Sequence, residues 1–124
     1  MAQHNTLGKI GEHMAVEHLI RKGYTIRETN WRYNHLEIDI VAQSGNRIIV
    51  VEVKTRASAE FASPRETINR DKMMRMIRAA RAYLSINQLP HELQFDIITV
   101  VGTDASNMTL THLEDAFFPP LRTY

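Results

Sequence analysis

The chain has 124 residues, 44% hydrophobic and 23% charged, with a formal net charge of +1 and no cysteine. That is an ordinary composition for one globular domain, residues 1–124, and it excludes disulfide staples, thiolate metal sites, a cysteine nucleophile and a uniformly polycationic nucleic-acid coat. The expected setting is a reducing cytoplasm with no membrane contact: no apolar run reaches transmembrane length, and the start, Met1-Ala-Gln-His-Asn, has neither the basic end nor the apolar core of a secretory signal.

Residues from Thr6 to Lys22 predict a helix. Gly8, Glu12, Ala15 and Leu19 recur on one helical face, and Gly23 follows Arg21 and Lys22 where a C-cap glycine belongs. Small residues flank Glu12, so this face can approach other backbone closely, although the ordinary fate of a helix glutamate is solvent. A strand is predicted next, from Tyr24 to Tyr33. Its aromatics, Trp31 and Tyr33, read as sheet-packing residues, with base stacking as the alternative.

Two further strands, Glu37–Gln43 and Arg47–Arg56, flank the turn Ser44-Gly45-Asn46-Arg47. If Gly45-Asn46 is a two-residue loop, Ser44 pairs with Arg47, Asp39 faces Glu52 and Glu37 faces Lys54. All four charges then share one sheet face with Val41, Ile48 and Val50, while Ile38, Ile40, Ala42, Ile49, Val51 and Val53 occupy the other. Facing carboxylates repel, and charges on a strand covered from both sides cost free energy unless paired or coordinated. Two readings follow. One is a solvated face with cross-strand ion pairs. The other, which the apolar surroundings favour, is a site in which a hard cation such as Mg²⁺ bridges Asp39 and Glu52 beside Lys54, a combination suited to phosphodiester hydrolysis.

Ala57–Pro64 predicts a loop. A second helix is predicted from Glu66 or Asn69 to Ile86, with Met73, Met76, Ile77, Ala80, Tyr83 and Leu84 as its apolar stripe. Its remaining surface is basic, with Arg70, Lys72, Arg75, Arg78 and Arg81. That surface is either a solvated face or, with Lys54, Arg56 and Arg65, a contact for DNA phosphates. Leu93–Val101 predicts a central strand, Met108–Leu113 a shorter edge strand, and Phe117-Phe-Pro-Pro an irregular tail. The six histidines show no zinc spacing and read as surface residues. Asp96 reads as a strand-end carboxylate paired with an arginine. The order α-β-β-β-α-β-β predicts an α/β fold with a mixed sheet and helices packed on it.

Gly11-Glu12 with Ala15, Asn30-Trp31-Arg32, Glu37-Ile38-Asp39, Val51-Glu52-Val53-Lys54-Thr55-Arg56, Lys72 and Phe95-Asp96 together resemble the YraN-like bacterial family of predicted endonucleases. That family lies in the PD-(D/E)XK nuclease superfamily and is similar in fold to archaeal Holliday-junction resolvases. The resemblance implies a restriction-endonuclease-like αβββαβ core. It implies Asp39 and Glu52 as metal ligands, the Val53 carbonyl as a third, and Glu12 as a metal-binding or water-held carboxylate. Lys54 becomes the group that orients water and stabilises phosphate charge, with Mg²⁺ as cofactor and Mn²⁺ as its substitute. Two positions depart from the pattern: Leu36 stands where glycine is usual and Gln94 where arginine is common, both expected near DNA. The function classes that follow are a hydrolase cutting branched or structured DNA in repair or recombination, and a nonenzymatic nucleic-acid-binding protein on a nuclease fold. A cut across a junction needs paired sites, hence the expectation of a homodimer.

Overall fold

The computed structural model describes residues 3–58 and 68–119. In chain order the elements are α1 (Gln3–Arg21), β1 (Thr25–Tyr33), β2 (Leu36–Ser44), β3 (Arg47–Arg56), α2 (Arg70–Ile86), β4 (Glu92–Val101) and β5 (Thr109–Phe117). The strands form one five-stranded sheet in the order β1-β2-β3-β4-β5. All neighbours are antiparallel except β3 and β4, which are parallel. A parallel pair needs a long return, and α2 supplies it. The fold is thus α/β, a mixed sheet flanked by two helices, as a restriction-endonuclease-like core requires.

Local chemistry sets the ends of these elements. Gly23 takes φ 95°, its N–H reaches the Ile20 carbonyl at 2.9 Å and the Tyr24 N–H reaches the Leu19 carbonyl at 3.0 Å, a Schellman ending for α1. Gly45 supplies φ 58° at the hairpin, and Ser44 pairs with Arg47, the register expected from the sequence. The Asn69 side chain accepts the Lys72 N–H at 2.8 Å and caps α2. The predicted loop from Ala57 lies mostly in residues 59–67, outside the described residues, as does Arg65.

Strand alternation splits the core into two layers. Ile40, Ala42, Ile49, Val51, Ile98 and Val100 pack with Ala15 and Leu19 of α1. Val41, Ile48, Val50, Phe95 and Ile97 pack with Met76, Ile77, Ala80 and Tyr83 of α2. At Gly11 α1 lies against the Thr55 side chain, which a Cβ there would overlap, whereas Gly8 has open space around it. The tight spot on this helix face is therefore at Gly11, the residue before Glu12, and its neighbour is a side chain rather than backbone. Among the described residues no helix is long and apolar enough to cross a membrane.

Three expectations need correction. β5 does not stop at Leu113 but runs to Phe117, which pairs with Phe95 past a register shift between Phe95 and Ile97. His18 and His112 are partly buried and paired rather than free at the surface: the folding of α1 against β5 joins them at 3.0 Å, although they are 94 positions apart. Asp96 is neither at a strand end nor paired with arginine. It is fully buried within β4, and His112 Nε2 lies 2.7 Å from its Oδ2.

Candidate active site

The regular pattern of β2 fails at Asp39. Ile38 packs in the α2 layer and Ile40 in the α1 layer, so the expected common face for these two residues is lost. Across the β1–β2 ladder, between the pairs Thr29↔Ile40 and Trp31↔Ile38, Asn30 takes φ 53°. On the other side the β2–β3 ladder ends at Ile40↔Val51. The expected pairings of Asp39 with Glu52 and of Glu37 with Lys54 are therefore replaced by a fork. At its mouth the Val53 N–H donates to Asp39 Oδ2 at 2.8 Å, a side-chain oxygen where a strand carbonyl would otherwise stand. Glu37 pairs instead with Arg32 of β1 at 3.5 Å.

The fork opens on both sides of the sheet. A cavity of about 280 Å³ is lined by Glu52, Lys72, Arg75, Leu36, His35 and Asp39. A larger cleft of about 810 Å³, toward α1, is lined by Glu12, Asp39, Val53, Lys54 and Arg56, among others. Asp39 borders both. Burial, then the Glu52 charge, push its carboxyl up to about 6 against the pull of the Val53 N–H, with Glu12 and Glu37 adding to the rise.

Glu52 Oε2 is shared by two lysines, Lys72 Nζ at 2.6 Å and Lys54 Nζ at 3.3 Å. The three side chains are 17%, 18% and 23% exposed for Glu52, Lys72 and Lys54. Burial lowers the Lys54 amine below the ordinary lysine range, and the adjacent Lys72 lowers it further. Burial also pulls on Lys72, but its bonds to Glu52 and the Lys54 amine outweigh this and raise it.

The structure thus gathers Asp39, Glu52 and Lys54 around the fork and adds Lys72, which the helix pattern leaves between a solvated face and a contact for DNA phosphates. The signal was present in the chain: a lysine in the first turn after an Asn cap opposes the helix dipole and calls for a nearby anion. Glu12 stands to one side, its Oε1 accepting from Asn30 Nδ2 at 2.7 Å, although its charge is felt at Asp39. Arg75 is exposed on the smaller cavity and Arg56 lines the cleft. Lys9 and Arg32, which the sequence reading passed over as ligands for DNA, line the same cleft. Leu36 lies where it was expected, beside the site, but Gln94 is buried and bonds to Arg47 and Asp96.

Among the described residues no three His, Asp or Glu side chains converge as a ready-made metal cage. The donors that do converge are carboxylate oxygens, with Asp39 raised first by burial and then by the charge of Glu52. That set fits Mg²⁺, which accepts one or two carboxylates and fills the remaining positions with water and substrate phosphate.

A family model described as Uncharacterised protein family UPF0102 matches residues 11–100. A UPF0102 protein of Bacteroides thetaiotaomicron is 48% identical over 121 residues, covering 98% of this chain and 99% of the relative. A UPF0102 protein of Bacteroides fragilis is 46% identical with the same coverage, and one of Flavobacterium psychrophilum is 45% identical over 118 residues, covering 95% of this chain and 98% of its own. The match runs through both carboxylates of the fork, both lysines and the Gly11 contact, and the chain belongs to the UPF0102 family, the YraN-like family its motifs resemble.

Proposed function

We propose that the protein is a Mg²⁺-dependent endonuclease that hydrolyses phosphodiester bonds in branched or otherwise structured DNA. The observation that carries this reading is the fork: Asp39, Glu52 and Lys54 meet where the β2–β3 ladder ends, at the junction of two cavities. Asp39 and Glu52 would hold the ion, with Glu12 as a metal-binding or water-held carboxylate and the Val53 carbonyl as a further donor. When bound, the ion supplies charge stabilisation at the phosphate and a more acidic water.

The chain's own groups do the rest. Lys54, its amine lowered by burial, orients water and contacts the phosphate. The Val53 N–H fixes the orientation of the Asp39 carboxylate. Arg56, Lys9 and Arg32 along the cleft, with Arg75 across the fork, offer cations to the flanking phosphates. A net charge of +1 is compatible with such binding because Lys9, Arg32, Lys54, Arg56, Lys72 and Arg75 line the two openings. A cut on both strands of a junction would employ two copies of the chain.

One observation favours the alternative, a nonenzymatic nucleic-acid-binding protein. Glu52 is already neutralised by two lysines, as a purely structural carboxylate would be. The test is incubation with labelled linear, flapped and four-way DNA in Mg²⁺, Mn²⁺ or EDTA. The expected outcome is metal-dependent cleavage by the parent protein, reduced to background in Glu52→Gln while DNA is still bound. DNA binding without cleavage in any metal selects the alternative; cleavage that persists in purified Glu52→Gln protein would falsify the assigned site.

A further inference from the structure

Lys72 is more than Glu52 requires. Lys54, on the same strand, already supplies one cation to Oε2 at 3.3 Å, yet Lys72 makes the shorter contact, 2.6 Å, to the same atom. Its position carries a helix penalty: Lys72 lies three residues after the Asn69 cap, in the turn where the dipole disfavours positive charge. Helix formation therefore does not explain this lysine; Glu52 does.

Charge counting then sets a condition on the site. Asp39 and Glu52 carry two negative charges when ionised, and Lys54 and Lys72 carry two positive ones. A divalent ion added to that set leaves an excess of two positive charges in a partly buried space, so ion and ammonium compete for Glu52. Lys72 is free to yield, because it comes from a different element from Glu52 and borders a cavity of about 280 Å³ that also holds Arg75. A phosphodiester is the anion that would receive it there.

We propose that Lys72 is a displaceable internal cation: it holds Glu52 until a divalent ion takes that oxygen, and its ammonium then passes to a DNA phosphate, which makes ion binding and DNA binding mutually reinforcing. This rests on the metal-dependent reading above. Lys72 acts here as a positioning and regulatory residue, and its effect is read in binding rather than in turnover.

The experiment measures Mn²⁺ affinity from the electron paramagnetic resonance of free Mn²⁺, without DNA, for the parent, Lys72→Met, Lys72→Gln and Glu52→Gln. Removing the competing charge should tighten Mn²⁺ binding about tenfold in both Lys72 variants. In a second arm, labelled DNA is titrated by fluorescence anisotropy with and without Ca²⁺. The ion should strengthen DNA binding more in the parent than in Lys72→Met, since in the variant nothing remains to be displaced.

Unchanged or weaker Mn²⁺ binding in both Lys72 variants, with saturable binding by the parent, overturns the displacement and leaves the metal-dependent reading standing. An equal Ca²⁺ effect on DNA binding in parent and variant overturns the coupling. Absence of any Glu52-dependent Mn²⁺ binding, in the parent and in both Lys72 variants, overturns the metal reading itself and this inference with it.

Discussion

Asp39 and Asp96 are both carboxylates of central strands, and the protein treats them in opposite ways. Asp96 is fully buried and fully partnered. Its Oδ1 accepts from Gln94 Nε2 at 3.0 Å and from the Asp115 N–H at 3.1 Å, while its Oδ2 meets His112 Nε2 at 2.7 Å. With that nitrogen donating, His112 Nδ1 is left to accept from His18 Nε2 at 3.0 Å, and Arg47 reaches the far end of Gln94 at 2.9 Å. The network ties β3, β4, β5 and α1 together, and every atom of the carboxylate is answered. Asp39 is half-buried, accepts from the Val53 N–H as its one donor among the described residues, and faces the charge of Glu52. A carboxylate that the fold satisfies is structural. One that the fold leaves repelled and open to a cavity is available for chemistry.

The comparison makes its largest demand on stability. Asp96→Ala removes the shared acceptor of Gln94, His112 and the Asp115 N–H and leaves the buried Gln94 amide unmatched, and should lower stability by about 3–5 kcal/mol in denaturant or thermal melts. A loss no greater than that of an exposed substitution would place Asp96 in the same class as Asp39 and end the contrast.

Asp39→Asn should move the other way and depend on pH. The folded protein holds the Asp39 proton up to about 6, against an ordinary 3.8. Between those values the folded state binds more protons than the unfolded one, so this residue's contribution to stability falls as pH rises through that window. The asparagine variant lacks this loss. In EDTA the two proteins should melt alike near pH 4, and the variant should gain about 1–3 kcal/mol by pH 7, a difference that then stays constant. A destabilised variant at pH 7 would show that the Val53 contact outweighs the repulsion.

Glu52→Gln sharpens the distinction with the smallest effect. It relieves Asp39 but releases Lys54 and Lys72, so the terms oppose each other. The net change in apo stability should lie within about 1 kcal/mol. The hairpin pattern alone suggests that either amide stabilises the protein; the second lysine on Oε2 separates the two carboxylates.

What could be read from the sequence follows the range of the interactions involved. Gly45 and the flanking Ile and Val runs fix the hairpin register locally, and Gly23 and Asn69 mark helix ends by their own chemistry. The pairing of Asp39 with Glu52 extends that register past Ile40↔Val51, where the β2–β3 ladder ends, and nothing in the turn's own residues marks that end. The sequence pattern ends β5 at Leu113, yet the strand runs on through Glu114 and Asp115, with Asp115 at φ 50° and its N–H held by Asp96. The His18–His112 contact and the grip of Lys72 on Glu52 link elements distant in the chain, and periodicity within one element carries no information about either.

The bond from the Val53 N–H to Asp39 has a consequence for observation. Most strand amides report only that their sheet is intact. This one points at a carboxylate, so its proton resonance is displaced by whatever charge that carboxylate carries. In an amide nitrogen–proton spectrum, Val53 is a native probe of the fork, registering protonation, ion entry or a rotated side chain as a movement of one peak, with no label attached to the site.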